Sequence, residues 1–260
     1  MNKKIAIGIC VIVLLFVTAC GKSTGTSSGT QPQKSSAETL KSNADQVEET
    51  FNDFKGNQPA KMSGSSDNEF KLAMPEGGYK IVMKTKDLSK GLKGLDLVSA
   101  SSNIGVPLFI SASAGKSEED WYVCERVEHM NSSDDTLFKV QASGPYVIEV
   151  YKLPLASGNV ALPLSMNGKG TRALGPFTAS TPLKIKLKTS DSKNAGFMVN
   201  LMDASSGKQS ASVYTNIDMD TQKLINQTDV SKELTLTGSG SYFLMIEANG
   251  GCEWETVISN

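Results

Sequence analysis

A segment of this 260-residue chain occurs twice, and the spacing of the two copies limits the fold more than any other feature. Phe138-Lys139-Val140 leads into Ser143-Gly144-Pro145-Tyr146-Val147-Ile148-Glu149-Val150, and Leu234-Thr235-Leu236 leads into Ser239-Gly240-Ser241-Tyr242-Phe243-Leu244-Met245-Ile246. The copies align without a gap at an offset of 96 positions. Phe138 and Val140 fall on Leu234 and Leu236, and Tyr146, Ile148 and Val150 fall on Tyr242, Leu244 and Ile246. A period of that size is a domain, not a solenoid unit. Further upstream, Leu108-Phe109-Ile110 ending at Gly115 corresponds loosely to Val199-Asn200-Leu201 ending at Gly207, at offsets of 91 and 92 that require a gap.

Around the repeat, side chains alternate at the period of a strand. Leu183, Ile185 and Leu187 are interleaved with Lys184, Lys186 and Lys188, and Leu234 and Leu236 with Thr235 and Thr237. Such alternation gives one buried and one solvated face. From Glu69 onward, short strands and Gly- and Asn-bearing turns predict an all-β chain. The expected architecture is two tandem antiparallel β-sandwiches, jelly-roll-like, over residues 66–166 and 170–260. Met166-Asn167-Gly168-Lys169-Gly170-Thr171 reads as the hinge between them. One larger sandwich built from both halves is the alternative. The polar strand, the Gly-x-Tyr turn and the apolar alternation resemble the bacterial pre-peptidase C-terminal family of β-sandwiches, from Phe177 to Ile258 and over less of the first repeat. That resemblance implies an accessory module of a secreted protein, used for binding or spacing, and it carries over no functional residue.

The N-terminal part has a different character. Lys3 and Lys4 precede an almost wholly apolar run from Ile5 to Val17, the layout of a secretory signal over residues 1–19. With Thr18 and Ala19 the run is about 15 residues, short of the roughly 20 that span a bilayer core. It ends in Val17-Thr18-Ala19-Cys20-Gly21, which resembles the bacterial lipobox. The resemblance implies cleavage before Cys20 and a diacylglyceryl group on its sulfur, and two acyl chains anchor stably where one binds only marginally. The expected location is therefore extracytoplasmic, on a bacterial membrane. Residues 20–34 form the anchored linker, and residues 21–34, GKSTGTSSGTQPQK, lack any aliphatic or aromatic side chain. They read as a flexible tether with a span of about 20 Å. In residues 35–56, Leu40, Ala44, Val47, Phe51 and Phe54 recur at helical spacing behind the capping box Ser35-Ser36-Ala37-Glu38, with Gly56 as the stop. The expectation is one amphipathic helix.

Charge and chemistry narrow the function further. The chain carries 26 basic and 27 acidic side chains, and loss of residues 1–19 removes only Lys3 and Lys4. That balance provides no basic footprint for nucleic acid and no polybasic membrane patch. No G-x-S-x-G elbow, H-E-x-x-H or P-loop is present, and the single histidine, His129, lacks a second ligand at metal spacing. Asp218-Met219-Asp220 and Asn131-Ser132-Ser133-Asp134-Asp135 are oxygen-rich enough for Ca²⁺, but without the Gly and terminal Glu of an EF-hand, and turn chemistry explains them equally. No metal site and no dissociable cofactor are expected. With Cys10 in the signal and Cys20 lipidated, Cys124 and Cys252 remain, either bridged across the two halves or buried as separate thiols. Trp121, Tyr122, Tyr151 and Tyr214 are the aromatics free to face a ligand, whereas Tyr146, Tyr242 and Trp254 read as core. The expected function is a non-enzymatic binding or positioning role at the envelope, toward polysaccharide, peptidoglycan or a protein. An enzyme or accessory subunit with an unrecognised site, and a spacer presenting the helix, are the rivals.

Overall fold

The computed structural model describes residues 49–260 except 90–91, 100–104, 109–114, 117–120, 132–134, 157, 191–195, 219–222, 225–227, 237 and 249–251. The signal, Cys20, the tether and residues 35–48 of the expected helix lie outside the described residues. The described part is all-β, with two tandem sandwiches, each built from two antiparallel sheets around a core of its own.

The strands of the first sandwich are β1 (Thr50–Asn52), β2 (Ala60–Gly64), β3 (Asn68–Ala73), β4 (Gly77–Thr85), β5 (Leu92–Ser99), β6 (Gly105–Leu108), β7 (Gly115–Lys116), β8 (Tyr122–Met130), β9 (Asp135–Ala142) and β10 (Tyr146–Lys152). One sheet runs β1-β2-β10-β4-β8-β7 and the other β3-β9-β5-β6. Alternation decides which side chains enter the core. Tyr146, Ile148 and Val150 of β10 stand beside Met83 and Ile81 of β4 and Met62 of β2, and they meet Phe70, Leu72, Phe138 and Val140 from the facing sheet. All are buried, and removal of this apolar area from water is the main favourable term in holding the two sheets together.

In the second sandwich the strands are β11 (Leu164–Lys169), β12 (Arg172–Ala179), β13 (Leu183–Thr189), β14 (Phe197–Asp203), β15 (Gln209–Thr215), β16 (Ile217–Asp218), β17 (Lys223–Leu224), β18 (Asp229–Leu234), β19 (Gly240–Ala248) and β20 (Glu253–Ser259). Its sheets run β12-β19-β14-β15 and β11-β20-β13-β18, with β16 and β17 pairing separately. On β13, Leu183, Ile185, Leu187 and Thr189 are buried while the three intervening lysines are exposed. Their alternation was legible in the sequence because one face of that sheet meets solvent.

Three expectations need correction. Residues 50–52 are a strand, not the end of a helix: β1 pairs with β2, and Phe51 stacks on Phe70 with ring centroids 6.0 Å apart. A pattern of about two heptads is satisfied equally by an edge strand whose aromatic closes the open side of a core. The expected hinge at Met166–Thr171 lies inside the second sandwich, where β11 pairs with β20 along its whole length. The sandwiches are joined instead by residues 153–163, so the span 66–166 omits β1 and β2 and takes in the start of β11. The looser upstream match also fails. Leu108 ends β6, at the edge of its sheet, whereas Val199–Leu201 lies in β14, flanked by β15 and β19.

The ungapped repeat does mark equivalent places. Both copies span a crossing from one sheet to the other, β9 to β10 and β18 to β19. Tyr146 is flanked by β2 and β4, at Gly64 and Thr85, and Tyr242 by β12 and β14, at Phe177 and Asp203. Hence β4, not β6, is the counterpart of β14.

The two sandwiches belong to one compact unit. A third apolar cluster joins them: Val127 from the first and Leu153 at the start of the linker, with Ala173, Ala204, Phe243 and Met245 from the second. On β19 the alternation therefore has two buried sides. Leu244 and Ile246 fill the sandwich core, and Phe243 and Met245 fill the junction.

Candidate functional site

The four aromatics expected to face a ligand do not form one platform. Trp121 lies just before β8, partly exposed, with the Lys86 ammonium 5.4 Å from its ring centroid. Tyr122 packs at the margin of the first core. Tyr214, on β15, packs at the margin of the second core, 6.3 Å from the Phe197 ring. Tyr151 lines a cleft.

That cleft, of about 630 Å³, sits at one end of the first sandwich. The loop between β1 and β2 supplies Asp53, Phe54, Gly56, Asn57 and Gln58, the turn between β3 and β4 supplies Pro75, and the end of β10 with the start of the linker supplies Tyr151 to Ala156. Local hydrogen bonds set each wall. The Gln58 amide donates to the Lys55 carbonyl at 3.1 Å, closing a turn in which Gly56 has φ +61°. The Tyr79 hydroxyl donates to the Pro75 carbonyl at 2.6 Å, and the Leu153 amide donates to the Gly78 carbonyl at 2.9 Å. Phe54 leans on the core with its ring 6.3 Å from that of Tyr79. The Tyr151 hydroxyl donates to Glu149 at 3.2 Å. Burial, and then the Glu149 carboxylate, push that phenol up to about 12, so it stays neutral.

A second, smaller cleft of about 240 Å³ adjoins the same linker at Pro154 and Leu155 and is completed by Asn159, Pro176, Ser241 and the 203–205 turn. Sequence reading picked out Tyr151 and missed the residues around it. Its only hint was Gly56-Asn57, a turn dipeptide that was absorbed into the helix as a stop signal.

Beside the clefts, the junction gathers charge. The Lys80 ammonium lies 3.0 Å from Glu125 and 5.9 Å from the centroid of the Phe243 ring, and it also reaches the Ala173 carbonyl at 3.4 Å. Arg126 pairs with Glu128 at 2.8 Å on its own strand and with Glu247 at 3.2 Å across the junction. Burial works to lower the Arg126 pKa, but Glu247 and Glu128 outweigh it and raise it further. Arg172 donates to the carbonyls of Val123 and Gly115, and burial lowers its pKa. At the turn after β14, Asp203 accepts from the amides and hydroxyls of Ser205 and Ser206. Burial raises the Asp203 pKa, and these four donors more than reverse the effect.

The chemically versatile side chains are committed to packing. His129 Nδ1 is 2.7 Å from the Ser206 carbonyl across the junction, and its Nε2 is closed off from solvent. Cys124 and Cys252 are not bridged to each other: both are buried, one in each sandwich core. Burial pushes the Cys124 thiol up to about 12, which keeps it protonated and unreactive. Among the described residues no three His, Cys, Asp or Glu side chains cluster as a metal site. Both candidate calcium loops fall partly outside the described residues.

No family model matches the chain, and no curated protein matches it. Among solved structures, it is similar to the N-terminal CBM22-1-CBM22-2 tandem domain of Paenibacillus barcinonensis Xyn10C, at 7% identity over 79% of this chain and 87% of that one, with a TM-score of 0.23. It is also similar to the plant receptor-like kinase FER, at 8% identity over 85% of this chain and 90% of that one, with a TM-score of 0.25.

Proposed function

We propose that this chain is an exported lipoprotein, held on a bacterial membrane by lipid on Cys20, whose sandwiches bind or position an envelope component without catalysing a reaction. The sequence Val17-Thr18-Ala19-Cys20-Gly21 supports the anchor. One observation carries the non-catalytic half: the side chains best suited to catalysis are spent on packing. His129, the one imidazole, is bonded to the Ser206 carbonyl at the junction, and Cys124 and Cys252 are buried in separate cores. Open to a partner is the preformed cleft around Tyr151, one of several on the surface, which lies beside the linker, a usual place for a ligand site.

Cell fractionation tests the anchor. Cys20→Ala should move the protein out of the membrane fraction and abolish acylation, read by mass spectrometry. Retention of the variant in the membrane at unchanged size overturns the reading. His129→Ala should leave partner binding intact, and a large loss would place the imidazole in a reactive or binding site.

A further inference from the structure

The cleft at the end of the first sandwich has a chemistry that selects among partners. We propose that it is a saccharide site, taking a short stretch of a neutral, hydroxyl-rich sugar chain, an inference that rests on the binding role above. A pyranose ring offers apolar C–H faces and a rim of paired hydroxyls. Tyr151, Phe54, Pro75 and Pro154 line the cleft and offer apolar groups to those faces, groups that lose little conformational freedom on binding. It meets the rim with the side-chain amides of Asn57 and Gln58, each carrying a donor pair and an acceptor suited to neighbouring hydroxyls. Both residues are exposed.

Charge argues for neutrality. The ionic groups lining the cleft are one carboxylate, Asp53, and one ammonium, Lys152, so neither a polyanion nor a polycation is favoured. The Asp53 carboxylate already accepts from the Phe54 amide at 2.7 Å, which fixes the loop. Preorganisation completes the case. All three walls are pinned by hydrogen bonds before any ligand arrives, which lowers the ordering cost of binding. The volume, about 630 Å³, falls in the ~300–1,000 Å³ range of small-molecule clefts.

The test uses the lipidated full chain in phosphatidylethanolamine–phosphatidylglycerol vesicles, with chitotetraose, cellotetraose, maltotetraose and xylotetraose as probes. Binding is read by saturation-transfer NMR and calorimetry. At least one probe should bind, Tyr151→Ala should weaken it at least tenfold, and Asn57→Ala with Gln58→Ala should weaken it severalfold. The amide pair is exposed, so that variant keeps the fold and the test stands even if Tyr151→Ala misfolds. No binding by any probe, or binding indifferent to the amide pair and to a folded Tyr151→Ala, overturns the proposal. Membrane retention of the same proteins is scored in parallel. Sugar binding lost with Cys20-dependent retention intact sinks the saccharide site alone, whereas retention without Cys20 sinks the anchor.

Discussion

Tyr146 and Tyr242 stand at the same point of the repeat, and the two sandwiches use them differently. Tyr146 is fully buried, because its neighbour on β2 is Gly64, which leaves room for the ring to lie in the core. A Cβ built on Gly64 would come within 2.7 Å of the Tyr146 hydroxyl. The corresponding neighbour of Tyr242 on β12 is Phe177, itself fully buried and already occupying that volume. Tyr242 is therefore held at the margin of its core, half-buried, with its hydroxyl over Gly240 of its own strand. Equivalence in sequence thus fixes where the chain crosses between sheets. How much each ring buries depends on what stands across from it.

The largest expected effect tests that difference. Tyr146→Ala should cost about 3–5 kcal/mol, the range for emptying a buried aromatic site. Tyr242→Ala should cost less, about 1–2 kcal/mol, since part of its ring already meets water. Chemical denaturation of the two variants reads both values, and equal losses would erase the distinction. Because the junction cluster and its ion pairs tie the halves together, the wild type should melt in one transition and not in two independent ones.

The junction can be broken directly. A Cβ on Gly78 would lie 2.5 Å from the Gly207 amide nitrogen, a backbone atom that cannot swing aside. Gly78→Val should cost about 1–3 kcal/mol by overpacking and split the single transition into two. An unchanged, single melting profile would show that the sandwiches are not in close contact there.

A smaller effect follows from the Asp203 turn, which meets the first sandwich through Ser206 and Gly207. The Asp203 carboxyl is held below its ordinary value of 3.8, so its contribution to stability is fully present above that value and is lost as pH falls through the lowered one. Amide hydrogen exchange at Ser205, Ser206 and Gly207 should accelerate in that acid range before the β13 amides respond. Asp203→Asn should remove this pH dependence, and its persistence in the variant would assign it to another group. The smallest effect is a null one. Reductant should leave the melting temperature unchanged, because Cys124 and Cys252 form no bridge, and a clear fall would contradict their separate burial.

Legibility in the sequence follows solvent. The alternation on β13 could be read because one side of the strand faces water and the other does not. The same logic on β19 yields an unbroken apolar run, Phe243 to Ile246, since one set of side chains enters the sandwich and the other enters the junction. Nothing local distinguishes those two destinations. Likewise, Phe51 and Phe54 fit a helical face until β2 offers β1 a hydrogen-bonding partner and Phe70 offers a ring to stack on. Of the candidate cleft, only Tyr151 was legible, as an aromatic outside the apolar alternation. Asn57, Gln58 and Pro75 come from separate turns whose meeting depends on how the sheets pack.

From residue order alone came the all-β class, the domain-sized repeat, the buried faces of β13 and β10, and the lipobox-like run at Cys20. All are short-range signals, carried by period-two alternation or by contiguous residues. Tertiary structure decided that Leu164–Lys169 is a strand and not a hinge, that the two cysteines lie in different cores, and that Lys80, Arg126 and Arg172 serve to join the halves. The reason is physical. A strand's partner, a thiol's neighbour and a cation's counter-charge are set by chain segments tens of residues away, and pairing energies between such segments leave no mark in the local pattern of either one.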